Sequence, residues 1–192
     1  MRKLQAAMLL SLGAVVCGPA LAQGARSPAP AMRVDAPSII ANPYTAYEFL
    51  IGDWYSRPAG GPDIAIHQNF RWGTRQSSIF YTTSTSMNGS PEAVHFEGML
   101  VWNGATHNLD YVVALEPGSG GQEKGTMHVE ADGSVIRDVT MTGADGRVAH
   151  FRQTFRRTGP DTAMTSLMRQ TATGWEPNFP GSDNIAMTRR PS

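Results

Sequence analysis

The chain has 192 residues, and its 16 lysines and arginines are balanced by 16 aspartates and glutamates. A chain of this length can form one domain that buries about 70% of its unfolded surface. The balanced charge argues against nucleic acid as a partner, because binding to phosphates depends on clustered lysines and arginines.

The first residues have the pattern of a secretory signal peptide. Arg2 and Lys3 precede an apolar stretch from Ala6 to Cys17, and Ala20-Leu21-Ala22 places small residues at the cleavage positions. The apolar stretch is too short to span a bilayer. We therefore predict that residues 1–22 are removed, that no integral membrane segment remains and that the protein is periplasmic or secreted. The alternatives are a retained anchor or a lipoprotein modified at Cys17.

Loss of the signal peptide would also remove Cys17, the only cysteine in the chain. This excludes disulfides, thiolate catalysis and cysteine-metal sites from the mature protein. Residues 23–43 carry four prolines among alanine, serine and arginine, which predicts a flexible leader because proline blocks regular pairing. We predict a folded domain over residues 44–190, beginning with a short helix over residues 44–51.

The stretch Phe49-Leu50-Ile51-Gly52-Asp53-Trp54 marks the start of this domain. Glycine allows backbone conformations that other residues rarely adopt, so Gly52 predicts a bend at this point. Trp54 is large enough to fill one end of a closed sheet. We therefore place Trp54 at the base of the predicted domain.

From Trp54 onward, apolar and polar residues alternate with a period of two between turns, which predicts β-strands. On the strand over residues 64–72, Ile64, Ile66, Phe70 and Trp72 share one face. Further strands are expected around residues 77–87, 93–102, 108–116, 123–131, 135–142, 148–158, 162–170 and 184–190.

The connections between these segments are short. Asn103-Gly104 predicts a hairpin with a type I′ turn, and residues 175–180 predict a loop. Strands that are apolar on one side need a common interior, and continuous hairpin connections favour a closed barrel over a sandwich, which usually needs Greek-key crossings. The predicted fold is all-β, a single antiparallel up-and-down barrel of nine or ten strands with a short N-terminal helix. Such a barrel can enclose one small ligand.

Three segments resemble a family of uncharacterised exported bacterial proteins with a lipocalin-like (calycin) barrel. They are the Phe49–Trp54 start, Phe96-Glu97-Gly98, and the final Thr188-Arg189-Arg190. Gly52 and Trp54 are similar to the glycine-x-tryptophan pair that lipocalins carry at their first strand. The resemblance covers residues 44–190 and implies a barrel and an apolar ligand. It supplies no catalytic residues.

The five histidines are the first candidates for acid–base or metal chemistry. His67, His95, His128 and His150 are out of phase with the apolar residues of their own strands, and His107 follows a turn. No pair has the spacing of metal ligands within one strand. We predict surface positions for all five, and neither a metal nor a cofactor.

Acidic residues on strands leave a catalytic alternative open. Asp110 and Asp138 are flanked by apolar neighbours. A carboxylate that faces the lumen would have a raised pKa and could act as a general base, whereas one that faces water would be ordinary surface. A serine nucleophile is not indicated, because the sequence has no Gly-x-Ser-x-Gly elbow.

The apolar phase of the strands supplies the candidate ligand-binding residues. A few polar groups in an apolar lumen orient a small ligand, and Gln68 and Gln153 fall in that phase. The predicted ligand-binding residues are Trp54, Gln68, Phe70, Trp102, Tyr111, Gln153 and Phe155. We expect an exported barrel that binds a small apolar or amphipathic molecule. The alternatives are a cofactor-free enzyme of isomerase, cyclase or lyase type that acts on a hydrophobic substrate, and a partner-binding envelope protein whose barrel is filled.

Overall fold

The computed structural model describes residues 42–61, 63–116 and 118–190 of the protein. The predicted signal peptide, residues 1–22, and the predicted leader up to residue 41 lie outside these ranges. The described chain contains two short 3₁₀ helices, Thr45–Leu50 and Thr74–Gln76. The first of them corresponds to the predicted N-terminal helix. Neither is long and apolar enough to cross a membrane, and the same holds for every helix in the described ranges.

The rest of the architecture is one antiparallel sheet. Its strands are β1 (Gly52–Ser56), β2 (Ile64–Trp72), β3 (Ile79–Met87), β4 (Ala93–Asn103), β5 (Asn108–Leu115), β6 (Gln122–Val129), β7 (Val135–Thr142), β8 (Val148–Arg157), β9 (Thr162–Thr171), β10 (Gly174–Pro177) and β11 (Ile185–Arg190). Strands β1 to β9 pair in chain order, and β11 pairs with both β9 and β1. The sheet therefore closes into a barrel of ten strands, which confirms the predicted up-and-down barrel.

β10 is the one described strand that lies outside the barrel. β11 pairs with residues 162–165 of β9, and β10 pairs with residues 168–171 along the same edge. The loop predicted for residues 175–180 is therefore wrong in its first part. Residues 168–171 of β9 lie beyond the first residue of β11, so their backbone groups need other partners, and β10 supplies them.

Side chains alternate between the interior and the outer surface as the sequence predicts. On β2, Gln68 and Phe70 are buried, and on β8 the buried residues are Phe151, Gln153 and Phe155. A strand turns successive side chains to opposite faces, so every second residue reaches the interior. On these two strands the interior face therefore consists of the predicted apolar phase together with the two glutamines.

The helix Thr45–Leu50 covers one end of the barrel, which we call the closed end. The Tyr47 hydroxyl donates a hydrogen bond to the carbonyl oxygen of Met127 (3.1 Å), and the Trp54 indole Nε1 donates to that of Leu50 (2.8 Å). Trp54 is 1% exposed, as its predicted place at the base of the barrel requires. Burial also raises the pKa of Tyr47 to about 12.

The predicted bend at Gly52 is present. Gly52 has a φ of 127°, and a Cβ atom there would lie 2.8 Å from Cδ of Arg189. The Arg189 guanidinium lies over the Trp54 ring, 5.1 Å from its centroid, and Nη1 donates to the carbonyl oxygen of Ile51 (2.9 Å). Glycine is therefore required here both for its backbone conformation and for the close approach of Arg189.

The type I′ turn predicted at Asn103-Gly104 is wrong, although the hairpin between β4 and β5 is present. The backbone N–H of His107 donates to the carbonyl oxygen of Asn103 (2.9 Å), and His107 has a φ of 56°. The Asn103 side-chain oxygen accepts from the backbone N–H of Ala105 (3.0 Å). This local bond favours a longer turn that begins at Asn103 and places the left-handed residue at its end.

Candidate functional site

The end opposite the helix holds a cavity of about 450 Å³. We call this the open end; the hairpins β1–β2, β3–β4, β5–β6 and β7–β8 surround it. Its apolar wall consists of Ile64, Ile66, Phe96, Met141, Phe151, Leu167, Phe179 and Ile185. The volume falls within the range of about 300–1,000 Å³ that is typical of small-molecule sites.

A set of buried polar side chains also lines the cavity. We call it the polar layer, and it consists of Gln68, Tyr81, Thr83, Glu123, Arg137, Gln153 and Thr165. Buried polar groups must be hydrogen-bonded, and buried charges must be paired, or they destabilise the fold. The contacts within this layer therefore determine what chemistry it can offer a ligand.

Arg137 is at the centre of the polar layer. Its Nη1 atom donates to the hydroxyl oxygens of Tyr111 (2.7 Å) and Tyr81 (3.2 Å) and lies 3.7 Å from Oε2 of Glu123. The Tyr111 hydroxyl in turn donates to the same glutamate oxygen (3.2 Å). A continuous path of polar contacts thus connects the buried cation to the buried carboxylate.

The pKa values in this layer follow from burial and charge. Burial opposes the charged form of Arg137, but Tyr111, Tyr81 and Glu123 outweigh it and raise the pKa of the guanidinium above its ordinary value. Burial raises the pKa of Tyr111 well above its ordinary value, and the neighbouring Arg137 only partly offsets this. Arg137 is therefore a permanent cation, and Tyr111 a neutral hydrogen-bonding group.

The amide side chains complete the layer. Gln153 donates through Nε2 to the Thr165 hydroxyl (3.1 Å), and Gln68 donates to the Tyr81 hydroxyl (2.8 Å). Two buried side-chain atoms, Arg137 Nε and Gln153 Oε1, have no hydrogen-bond partner among the described residues. An unpaired buried polar atom is unfavourable by about 1–3 kcal/mol. The layer therefore retains one donor and one acceptor that no described residue uses.

The predicted ligand-binding residues all lie in the barrel interior, but only two of them line the cavity. Gln68 and Gln153 belong to the polar layer. The others, Trp54, Phe70, Trp102, Tyr111 and Phe155, pack into the hydrophobic core that continues to the closed end. Large rings pack against one another there, with Phe70 centred 5.9 Å from Phe155. A role in ligand binding stays a prediction for all seven.

Sequence reasoning missed Glu123 and Arg137, although the alternation of the strands points to both. Arg137 lies between Val135 and Val139, which are buried, and Glu123 is in phase with buried Met127. Every second residue of a strand shares a face, so each charged residue belonged to the inner face of its strand. Their charge made an outer position the simpler expectation.

The histidines face outward or lie in loops, as predicted. His67 is held on the outer surface between two carboxylates, with Nε2 2.8 Å from Asp53 and Nδ1 2.8 Å from Glu92. Its ring stacks on Tyr55, with centroids 4.2 Å apart. Among the residues described, no three histidine, cysteine, aspartate or glutamate side chains are grouped to hold a metal ion.

The two aspartates considered for catalysis also face away from the lumen. Asp110 is exposed, and Asp138 accepts hydrogen bonds from Nε (2.7 Å) and Nη2 (3.0 Å) of Arg152 on the outer surface. Neither contributes to the cavity lining. The lumenal carboxylate is Glu123 instead.

Comparison with known proteins assigns the chain to no family: no protein-family profile, no curated protein and no solved structure matches it. The closed antiparallel barrel is compatible with the calycin-like architecture that the resemblance implies. Membership of the lipocalin-like exported family stays a prediction. The cavity and its polar layer are therefore the features on which a function has to rest.

Proposed function

We propose that this is an exported barrel protein that binds one small amphipathic molecule in the cavity at the open end. The apolar body of the ligand lies against the apolar wall, and its polar group reaches the polar layer. One observation carries this proposal: a cavity of about 450 Å³ combines an apolar wall with buried hydrogen-bonding side chains. Proteins orient small ligands with this combination of shape and a few placed polar groups.

The two parts of the site contribute differently to binding. Burial of apolar ligand surface contributes about 25 cal/mol per Å². Each hydrogen bond to the polar layer adds roughly 1 kcal/mol net. The loss of ligand freedom offsets part of both, so apolar contact supplies most of the affinity and the polar layer supplies the orientation.

The cofactor-free enzyme remains the second candidate, because Glu123 lines the cavity. A general base must reach the proton that it removes. Glu123 already accepts a hydrogen bond from Tyr111 and lies beside Arg137. Its carboxylate is thus engaged by the protein and not presented to a substrate, which favours binding over isomerase, cyclase or lyase chemistry. The cavity itself argues against the filled-barrel alternative.

The proposal is tested with a neutral, polarity-sensitive fluorescent dye that is titrated into the protein. We expect saturable binding at one site per chain. Two variants should abolish it by filling the cavity: Gln153→Phe at the polar layer and Leu167→Trp on the wall. Leu167 is half-buried, so its replacement leaves the core intact if the Gln153 variant fails to fold.

His128→Ala is the matched control, because His128 lies on the outer face and contacts Glu130. Dye binding by this variant should equal that of the wild type. Absence of saturable binding, or unchanged binding in both cavity-filling variants, would overturn the proposal. Native mass spectrometry of protein purified from its own envelope adds a direct readout, because a retained ligand increases the mass.

A further inference from the structure

A second pocket lies at the open end of the barrel, beside the cavity. It has a volume of about 610 Å³, and Met141, Ala149, Phe151 and Arg169 are among the residues that line it. We call it the mouth pocket. Met141 and Phe151 also line the cavity, so the two spaces share part of their wall. The mouth pocket therefore adjoins the outer part of the cavity.

Arg169 lies on the inner face of β9, near the open end. Thr165 and Leu167, which line the cavity, are on the same face, because every second residue of a strand shares a face. Arg169 is the next residue in this series, and it pairs directly with Phe151 on β8. Its side chain begins about 7 Å beyond that of Leu167, the length of two residues of a strand. Arg169 is exposed, so it lies where the lumen meets solvent.

The positive charge of Arg169 is available to a ligand. Among the described residues, Arg169 makes no ion pair and no side-chain hydrogen bond, in contrast to the arginines at positions 137, 147, 152 and 189. Glu176 is its cross-strand partner on β10, but Oε1 of Glu176 accepts hydrogen bonds from Thr171 (3.1 Å) and Thr173 (2.7 Å). Glu176 does not line the mouth pocket.

The other charges near the site are neutralised within the protein. Arg147 and Asp145 both line the mouth pocket and form an ion pair with each other. Deeper in the lumen, Arg137 lies 3.7 Å from the carboxylate of Glu123, so an anion at that depth would meet a like charge. The mouth pocket is therefore better suited to an acidic group than the polar layer is.

We propose that Arg169 forms a subsite for an acidic group, so that the ligand of the cavity is a lipophilic acid whose carboxylate lies at the mouth. The uncharged end of the ligand enters the lumen. This inference rests on the proposed function of the cavity and names the charge of its ligand. An arginine can bind a carboxylate through two parallel hydrogen bonds. Because the mouth is open to water, the pair forms without the large desolvation penalty of a buried ion pair.

The experiment compares two ligands that differ in one charge, 10-hydroxydecanoate and its methyl ester. Each is used to displace the neutral dye at a pH of about 8, where the carboxyl group is ionised. The ratio of the two affinities is the preference for the acid. Arg169→Gln should lower this preference roughly five-fold, as expected for the loss of a solvent-exposed ion pair, and should leave binding of the ester unchanged.

Two further measurements show whether the charge itself is responsible. Arg169→Lys keeps the charge and should retain most of the preference. Raising the ionic strength from about 0.01 M to about 1 M shortens the Debye length from about 30 Å to about 3 Å. This change should lower the preference of the wild type toward that of Arg169→Gln.

Arg156→Gln is the matched control. Arg156 also makes no ion pair with a described residue, but it is exposed on the outer face of β8, opposite Met164 of β9. Its replacement changes the net charge by the same amount as Arg169→Gln and should leave the preference unchanged. Both arginines are exposed, so neither replacement disturbs the packed core.

The inference is overturned if Arg169→Gln does not change the preference for the acid, or if Arg156→Gln lowers it by as much. Either result would leave the proposed function intact, because both compounds would still displace the dye. The inference alone also fails if the dye binds but neither compound displaces it. If the dye itself does not bind, the proposed function and this inference fail together.

Discussion

The two ends of the barrel are built by the same strands but are filled in different ways. At the closed end, which the helix Thr45–Leu50 covers, Trp54 and the last helix residue, Leu50, are each 1% exposed. At the open end, Ile66 and Leu167 are only half-buried and line a cavity. The closed end is therefore a packed core, whereas the open end contains a cavity.

The polar layer lies between the two ends. It separates the packed core from the cavity. Aromatic side chains such as Phe70 and Phe155 fill the lumen on one side of Arg137. On the other side the wall consists of aliphatic side chains and Phe96, Phe151 and Phe179, which leave a cavity open. The buried ion pair of Arg137 and Glu123 resists rearrangement, because breaking it leaves an uncompensated buried charge. Stability and ligand binding can therefore reside in different halves of one barrel.

The largest expected effect tests this division of roles directly. Trp54→Ala should lower the free energy of unfolding by about 3–5 kcal/mol, because it leaves a large cavity in a packed core. The matched variant at the open end is Phe96→Ala. Phe96 is half-buried and already faces the cavity, so its loss should be below about 2 kcal/mol. Denaturant titration measures both.

Equal losses at the two positions would contradict the comparison. A loss below about 1 kcal/mol for Trp54→Ala would mean that the tryptophan does not support the closed end. Dye binding gives an independent readout, since Phe96→Ala should change it more than Trp54→Ala does.

The second effect concerns the Tyr47 hydroxyl, which is buried at the closed end with a pKa raised to about 12. Its ordinary pKa is about 10, so its contribution to stability is complete below that pH and is lost as the pH rises through 12. The loss should amount to about 2–3 kcal/mol in the wild type. Tyr47→Phe has no ionisable group at this position, so its free energy of unfolding should not show this loss in alkali.

The Phe variant should be about 1 kcal/mol less stable at neutral pH, because it lacks the hydrogen bond to Met127. The stability difference between the two proteins should therefore change sign in alkali. Absorbance titration of tyrosinate checks the assignment, since the variant should lose one late-titrating group. A wild-type titration that is complete below a pH of about 11 would refute it.

The smallest expected effect concerns side chains on the outer surface, outside both the packed core and the cavity. Hydrogen bonds from His67 and Asn69 lower the pKa of Asp53, and those from Ser84 and His67 lower the pKa of Glu92. A carboxyl group whose pKa is lowered in the folded protein stabilises the fold at pH values above its ordinary pKa. This contribution disappears as the pH falls through the lowered pKa. His67→Gln should therefore destabilise the protein by less than about 1 kcal/mol near neutral pH, and the difference should vanish in acid.

Urea titrations over a range of acidic pH values test this expectation. The control is His95→Gln, because His95 contacts one exposed carboxylate, that of Glu116. It should change stability by no more than about 0.5 kcal/mol. A His67→Gln effect that grows in acid would reverse the assigned sign.

The alternation of residues was sufficient to predict the barrel, because strands with one apolar face and short connections have few ways to bury it. The same alternation placed Gln68 and Gln153 inside and His128 outside. Turn geometry was harder to predict from the sequence. The side-chain bond from Asn103 to the Ala105 backbone competes with the expected turn, and its strength depends on local geometry that residue types alone do not specify.

The candidate site was predictable only in part. Phase identifies which residues point inward, but it does not indicate how far along the barrel the aromatic rings stop and the cavity begins. That division depends on which strand ends the helix covers. Arg137 and Glu123 were in the correct phase, yet only their mutual distance of 3.7 Å shows how two charges can be buried together.

The seam between β1 and β11 has a consequence for the newly synthesised chain. Closure joins residues far apart in sequence, as in the bond from Arg189 to Ile51, which are 138 positions apart. Contacts of such long range form slowly, because the intervening chain must first be ordered. Until β11 arrives, the outer edge of β1 lacks its partner, and an unpaired edge can join the strand of another molecule. The strand Ile185–Arg190 therefore has to pair with β1 before this edge is covered.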